Sequence, residues 1–316
     1  MKECPLVSIF FLTYNHQNFI AESIESVLSQ DYDNLEIVIG DDCSQDNTWA
    51  IVQVYQRNHP AKIKAFRNEQ NIGITANSNE VLKRCTGKYI AIFSGDDLFM
   101  PGKISRQVEV MERDQSVVLC YHDVEVFNSE DGKTLCYRNH GPYSNRAITG
   151  DAEKVTRAVI EKGTSFMAAV SVMARRDSIP ATGFDQRVPV ASDWLMWIEI
   201  LARGGRSKKV EFIPDVLVRY RRHGSNITGI RYKHTSDEFV TLAITESKYP
   251  FFVLSVHKGY ASVRYRFGVR MICNNDLRVG RNFLLLSLLS GWVSWKIIYW
   301  LAASYIPSLL RLRNSK

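Results

Sequence analysis

The chain has 316 residues, 45% of them hydrophobic and 23% charged, which excludes a disordered polymer and allows one large domain or two modest ones. Its formal net charge of +7 is unevenly spread: residues 251–316 hold ten Lys/Arg and one acid, Asp276, whereas the first 250 hold 30 bases and 32 acids. The positive excess belongs to the C-terminal fifth, which argues for a local anionic partner and against a generally basic, nucleic-acid-binding protein.

The opening segment, MKECPLVSIFFLTYN, has one basic residue and a short apolar run. It reads as a buried strand from Val7 to Leu12 rather than as the core of a signal peptide. A helix follows from about Phe19 to Gln30, with Ala21, Ile24, Val27 and Leu28 on one face. A second strand covers Glu36 to Gly40. The cap-rich Ser44-Gln45-Asp46-Asn47 starts a helix to about Asn58. Ile63 to Phe66 is a short third strand, Thr75 to Cys85 a helix closed by Gly87, and Tyr89 to Ser94 a fourth strand. Pro101-Gly102 opens a helix to about Arg113, and Val117 to Phe127 is a fifth strand. The six cysteines are scattered without zinc-type spacing, which predicts free thiols in a reducing compartment.

Apolar strands separated by helices of this length predict an α/β fold with a mostly parallel, doubly wound sheet. Ligands of such sheets bind beyond the carboxyl ends of the strands, where strand order reverses. Each unusual polar cluster of this half lies at such an end: Thr13-Tyr14-Asn15, Asp41-Asp42, Arg67-Asn68 and Asp96-Asp97.

Further on, Asp131-Gly132 predicts a hairpin turn and Ser165 to Ala174 a strand. Ser192-Asp193 caps an amphipathic helix from Trp194 to Arg203, and Val216 to Arg221 is a strand running into Arg222-His223-Gly224. Beyond Thr235 the pattern is helical. From Phe283 to Leu310 a single charge, Lys296, interrupts 28 residues that include Trp292, Trp295, Tyr299, Trp300 and Tyr305. The run is long enough to span a bilayer, but polar residues break it and its aromatics lie in the middle. It reads first as amphipathic helices lying on an anionic membrane surface. A true span, or a helix docked on protein, is the alternative.

Paired carboxylates at a strand end suit a hard divalent cation, Mg²⁺ or Mn²⁺, holding a diphosphate. A helix N-cap explains one such aspartate and not both. A carboxylate at Asp41-Asp42 suits the ring N–H and ribose hydroxyls of a nucleotide, with Thr13, Tyr14 and Asn15 flanking the base. Arg67 and the Asn71-Ile72-Gly73 loop are placed to line that pocket, although an ordinary strand-to-helix turn also accounts for them. Neither G-x-G-x-x-G nor a P-loop motif occurs.

The segments V-S-I-F-F-L-T-Y-N, E-I-V-I-G-D-D-C-S-Q-D-N-T, N-E-Q-N-I-G and G-K-Y-I-A-I-F-S-G-D-D occur in this order. Over about residues 5 to 225 the chain thus resembles the family 2 glycosyltransferases of bacterial surface-polysaccharide type. The resemblance implies a GT-A fold, a Rossmann-like mixed sheet flanked by helices. It also implies a nucleotide-sugar donor, a divalent metal and inversion at the sugar. It divides the chain into a transferase domain over 1–230, with a nucleotide-binding half (1–127) and an acceptor half (128–230). Residues 231–316 form a basic, aromatic-rich helical extension that associates with membrane.

By the same resemblance Asp42 binds the uracil of UDP, Asp97 ligates the metal and Asp96 lies nearer the ribose or sugar. Asp193 is the general base, although Ser192 stands where an acid is usual. His223 completes metal or diphosphate binding. The implied partners are a nucleotide-sugar donor, a saccharide acceptor on polyprenyl diphosphate and the inner face of a bacterial membrane. Two other readings stay open: a catalytically degenerate membrane scaffold, and a nucleotidyltransferase on a related sheet.

Overall fold

The computed structural model describes residues 4–141, 144, 146–226, 235–290 and 294–305. The chain divides into two compact units, one of residues 1–156 and 164–231, the other of residues 157–163 and 232–316.

The first unit is built on one ten-stranded mixed sheet. Its elements are β1 (Val7–Thr13), α1 (Ile20–Leu28), β2 (Leu35–Asp41), α2 (Thr48–Asn58), β3 (Ile63–Arg67), α3 (Ile74–Arg84), β4 (Tyr89–Ser94), β5 (Leu98–Phe99) and α4 (Lys103–Arg113). They continue with β6 (Val117–Asn128), β7 (Thr134–Tyr137), β8 (Gly150–Asp151), α5 (Ala152–Lys162), β9 (Met173–Arg175), α6 (Ser192–Gly204) and β10 (Lys209–Arg222). The strand order is β3-β2-β1-β4-β9-β6-β10-β5, with β7 on β6 and β8 on β10.

β1 pairs in parallel with both β2 and β4, so strand order reverses between β1 and β4. β1 and β2 are apolar along nearly their whole length, as strands covered on both faces must be. Val7, Ile9, Phe11, Ile37, Ile39, Tyr89, Ala91 and Phe93 form the centre of the core, closed by Ile20, Ile24 and Val27 of α1.

The expected strand from Ser165 to Ala174 is mostly absent. Ala169–Ser171 is a 3₁₀ turn, and only Met173–Arg175 pairs, as an antiparallel strand wedged between β4 and β6. α6 begins at Ser192 itself, so Ser192 and Asp193 lie inside its first turn instead of capping it. β10 is twice the expected length, with bulges between Ile213 and Val218. α5, which is not among the expected elements, starts where the Lys154 N–H donates to Asp151 Oδ1 at 2.8 Å.

The second unit holds α7 (Thr235–Lys248), a 3₁₀ turn (Pro250–Phe252), α8 (Val253–Cys273), α9 (Leu277–Leu289) and α10 (Trp295–Tyr305), together with the end of α5. Its small core is Ile272, Leu284, Ile297 and Trp300. Gly268 and Gly280 let α8 and α9 approach closely: a Cβ on Gly268 would sit 2.9 Å from the Gly280 carbonyl oxygen. The long apolar run of the sequence is thus two separate helices, α9 and α10. Among the described residues no single helix is long and apolar enough to cross a membrane, although α7 and α8 with the turn between them reach that composition across a 117° bend. Trp292, Arg311, Arg313 and Lys316 of the expected membrane-facing tail lie outside the described residues. All six cysteines are unpaired.

Candidate active site

The carboxyl ends of β1, β2, β4 and β10 converge where strand order reverses. The loops after β1 and β2 are sewn together. The Asn15 N–H donates to Ser44 Oγ, the His16 N–H to Thr48 Oγ1, and the Gln45 N–H to Asn15 Oδ1. Asn15 takes a left-handed backbone, φ 55°, which its short amide tolerates. Thr13 is buried, while Tyr14 is exposed and has no recorded partner among the described residues.

The two aspartates after β2 have different surroundings. Asp41 is fully buried and accepts from the Ser44 N–H and hydroxyl, with Arg67 Nε 3.4 Å away. Arg67 also donates to the Ser44 carbonyl at 2.7 Å, so it fastens this turn. Asp42 accepts from the N–H groups of Ile72 and Gly73 at 2.9 Å each and from Asn68 Nδ2. It thereby holds the loop that opens α3, assisted by Asn71 Oδ1 on the Gly73 N–H. In α3, the Thr75 hydroxyl reaches Ser192 Oγ at 2.8 Å, which ties the start of α6, and hence Asp193, to the same framework.

The loop after β4 carries the two adjacent aspartates. Gly95 allows its approach, since a Cβ there would sit 2.7 Å from Thr13 Oγ1 and 2.8 Å from His16 Nδ1. The Ser23 hydroxyl on α1 donates to the carbonyls of Gly95 and Asp97 and fixes the loop from beneath.

The two carboxylates then turn apart. Asp96 Oδ2 lies 3.1 Å from His223 Nε2, 3.2 Å from Asn226 Nδ2 and 4.0 Å from His16 Nε2, and Ser94 donates to Oδ1. Asp97 is fully buried. Its Oδ1 accepts the Arg221 N–H at 2.9 Å, and its Oδ2 has no hydrogen-bond partner. Asp97, the expected metal ligand, thus gives one oxygen to the backbone of β10 and keeps the other without a hydrogen-bond partner, while Asp96 meets His223. Arg221 locks this arrangement. Its guanidinium lies 4.8 Å from the ring centroids of both Phe19 and Phe127 and donates to the Asp96 carbonyl and to Glu22. The Phe19 ring also packs on His223, centroids 4.7 Å apart.

Electrostatics separates the pair. Burial pushes the Asp96 carboxyl up, but the His223 hydrogen bond and His16 outweigh it and hold the group down at about 2. Burial, and then the Asp96 charge, raise Asp97 well above the ordinary range. The surroundings thus favour the charged form of Asp96 and disfavour that of Asp97. Burial also lowers His16, which favours its neutral ring.

Among the described residues no three His, Cys, Asp or Glu side chains form a cluster able to hold a metal by themselves. The Asp96–His223 pair nonetheless fits a shared cation, because a carboxylate oxygen and an imidazole nitrogen 3.1 Å apart can both reach one ion at about 2.1 Å. Diphosphate oxygens and water would complete such a shell, as is usual for Mg²⁺.

Of the expected residues, the structure brings Asp96, Asp97 and His223 together and groups Asp42 with Asn71 and Arg67 around the neighbouring turn. Sequence reasoning missed His16, Phe19, Asn226 and the locking role of Arg221. Their contacts across the site join residues 80 to 204 positions apart, which no local spacing signals.

The family model described as Glycosyl transferase family 2 matches residues 8–180. An uncharacterized glycosyltransferase of Haemophilus influenzae is 28% identical over 242 residues, 75% of this chain and 72% of its own length. The putative glycosyltransferase EpsE of Bacillus subtilis is 40% identical over 113 residues, 36% of this chain and 41% of its own. Three mycobacterial relatives, 28% identical, are matched over only 60% of their length. Among solved structures, Staphylococcus aureus TarS 1-349 in complex with UDP-GlcNAc superposes with a TM-score of 0.65 at 14% identity, over 96% of this chain and 88% of that one. The mannosyltransferase PcManGT of Pyrobaculum calidifontis, in complex with GDP-Man and Mn²⁺, gives 0.61 at 15% identity, over 99% and 88%. The fold is therefore GT-A-like, a mixed α/β sheet flanked by helices.

Proposed function

Because the chain belongs to glycosyl transferase family 2, we propose that it moves a sugar from a nucleoside-diphosphate sugar, a UDP-sugar first, to a hydroxyl of a saccharide acceptor by inverting single displacement. The observation that carries this reading is the ionised Asp96 held against His223 at the point where strand order reverses. Two proteins of similar fold are seen in complex with UDP-GlcNAc and with GDP-Man and Mn²⁺.

In this reading Asp96 and His223 hold Mn²⁺ or Mg²⁺, and Asp97 anchors β10 so that His223 meets Asp96. The cation supplies the positive charge that neutralises a departing nucleoside diphosphate. Thr13, Tyr14, Asn15, Asp42, Arg67 and Asn71 form the nucleotide pocket: Tyr14 packs on the base, and Asp42, already fixing the Asn71 loop, offers its remaining lone pairs to the ring N–H. Asp193, in the first turn of α6, takes the proton of the acceptor hydroxyl as it attacks the anomeric carbon.

Residues 1–230 are the transferase and 231–316 a surface-lying membrane unit. The acceptor is a saccharide on polyprenyl diphosphate at the inner face of a bacterial membrane, in O-antigen or capsule synthesis. The exposed Phe251, Leu254, Leu289 and Trp295, with Lys258, Arg278 and Lys296 also at the surface, support that assignment.

The test is donor hydrolysis across UDP-, GDP- and dTDP-sugars with Mn²⁺, alongside calorimetric UDP binding with and without EDTA. Metal-dependent turnover of one donor class is expected. Metal-dependent UDP binding without hydrolysis or transfer would leave the degenerate scaffold as the better reading.

A further inference from the structure

On the β6–β7 side of the first unit, one cation has no counter-charge. Arg138 follows β7, and its backbone N–H donates to the Val124 carbonyl of β6. Its half-buried guanidinium lies over the Tyr220 ring, 5.9 Å from the centroid. Among the described residues that guanidinium makes no hydrogen bond or ion pair, and its Nε is buried without a partner. A buried charge-bearing N–H left without an acceptor is costly, so a ligand that supplies one is favoured.

The nearby acids on β6 are committed elsewhere. Glu125 is taken by Arg219 and Thr134. Asp123 accepts the N–H groups of Val124 and Asn139 on one oxygen and the His140 ring on the other. His140, pinned through Nδ1 and stacked on Tyr137 with centroids 4.0 Å apart, is left with Nε2 unpartnered among the described residues.

The site already described is close by. Arg222 also lies over the Tyr220 ring, 5.2 Å from its centroid, and it immediately precedes His223. Its charge is also felt at Asp97. One tyrosine ring therefore carries two guanidinium groups, one of them beside the diphosphate site and the other without an anion.

We propose that Arg138, Tyr220 and Arg222, with His140 at the edge, form an acceptor subsite for an anionic group, a carboxylate or phosphate carried by the acceptor. This rests on the transferase reading above and adds the chemical class of its acceptor. Guanidinium forks take such oxyanions in bidentate fashion, and the tyrosine face holds the forks flat. His140 offers Nε2 to an adjoining hydroxyl.

The full chain is tested with matched probes: methyl glucuronide against methyl glucoside, mannose 6-phosphate against mannose, and geranyl phosphate against geraniol. Binding is followed by titration calorimetry with and without UDP and Mn²⁺. The charged member of at least one pair should bind about tenfold or more tightly, in line with a charged hydrogen bond. Arg138→Gln should abolish that preference and Arg138→Lys restore part of it, with UDP–Mn²⁺ affinity unchanged in both. Preference in the geranyl pair alone identifies a lipid headgroup, and preference in a sugar pair identifies the saccharide as the source of charge. Equal binding within every pair, or a preference that survives Arg138→Gln, overturns the subsite. Loss of UDP–Mn²⁺ binding by the unaltered protein would instead sink the transferase reading, since probe preference is read without nucleotide as well.

Discussion

Among the described residues of the first unit, the large hydrophobic side chains left exposed are Tyr14, Val54, Ile72 and Leu135, and two of these, Tyr14 and Ile72, lie in the loops after β1 and β3. Among those of the second unit, which is less than half as long, ten are exposed, including Leu289 at 85%, Leu254 and Trp295 at 72% and Tyr305 at 68%. The first unit has a sheet wide enough to cover its apolar strands on both faces. In α9, Gly280, Leu284 and Ser287 turn inward while Leu285, Leu286 and Leu289 remain outside. An apolar face left in contact with water is unusual unless something else covers it.

The charges tell the same story in reverse. In the first unit the Asp96 carboxylate is held low beside His223, and among the described residues the buried Arg138 Nε has no acceptor. The second consumes several of its cations internally: Arg266 on Glu238, Arg270 on Thr235 and Arg281 on Ser304. Lys258 likewise lies 3.4 Å from Glu161, so the basic tail is less available to an anionic surface than its composition suggests, with Arg278 and Lys296 exposed among the described residues.

This contrast predicts that chemistry and surface binding separate cleanly. Asp96→Ala should reduce metal-dependent donor hydrolysis at least about 1,000-fold and abolish Mn²⁺-dependent UDP binding, while leaving sedimentation with anionic vesicles unchanged. Vesicle binding lost together with turnover would mean that the two units do not divide the work in this way. The converse variant, Leu289→Ser with Trp295→Ser, removes side chains worth about 1.5–3 kcal/mol each when transferred out of water. It should lower partitioning onto vesicles about 100-fold with hydrolysis and melting temperature intact; unchanged partitioning would return the exposed face to protein docking.

Within the first unit, Asp97 separates a ligand from an anchor. Asp97→Asn retains an acceptor for the Arg221 N–H and should keep turnover within about threefold, whereas Asp97→Ala strands that N–H at a cost of about 1–3 kcal/mol. Chemical denaturation reads the second effect and turnover the first. Loss of UDP–metal binding in Asp97→Asn would restore Asp97 as the ligand.

The smallest effect concerns Lys103, fully buried with Gln107 as its partner and lying over Phe99. Burial lowers its ammonium from 10.5 to about 7, so between about pH 7 and 10.5 the unfolded chain binds a proton that the folded one has released. Stability from this group is lowest below pH 7 and rises with pH across that window. Lys103→Met should raise the melting temperature at pH 7 and flatten the rise; a parallel shift at every pH would exclude titration of this lysine.

Much of the first unit was readable in order along the chain. β1, β2, β3, β4, β6 and the helices between them follow from apolar runs and caps, because local periodicity records which faces are covered. The convergence of Asp42, Asp96 and the polar end of β1 was readable too, since parallel strands deliver their carboxyl ends to one edge. β9 was not, because three residues inserted antiparallel between β4 and β6 leave no periodicity. α6 kept its apolar pattern but not its starting point, since Thr75 of a distant helix, and not a local cap, secures Ser192.

What the sequence by itself determined was the alternation of strand and helix, the edge at which the polar clusters meet, and the mixed basic and apolar character of the last 66 residues. Tertiary structure alone decided how the surroundings of two adjacent aspartates differ. Gly95 pressed against Thr13 and His16 sets the turn, and the Arg221 N–H, 124 residues away, takes Asp97 inward. Asp96 is thereby left to face His223. Identical side chains one residue apart carry no local information about which way each will point; that is settled by the partners the fold brings to each of them.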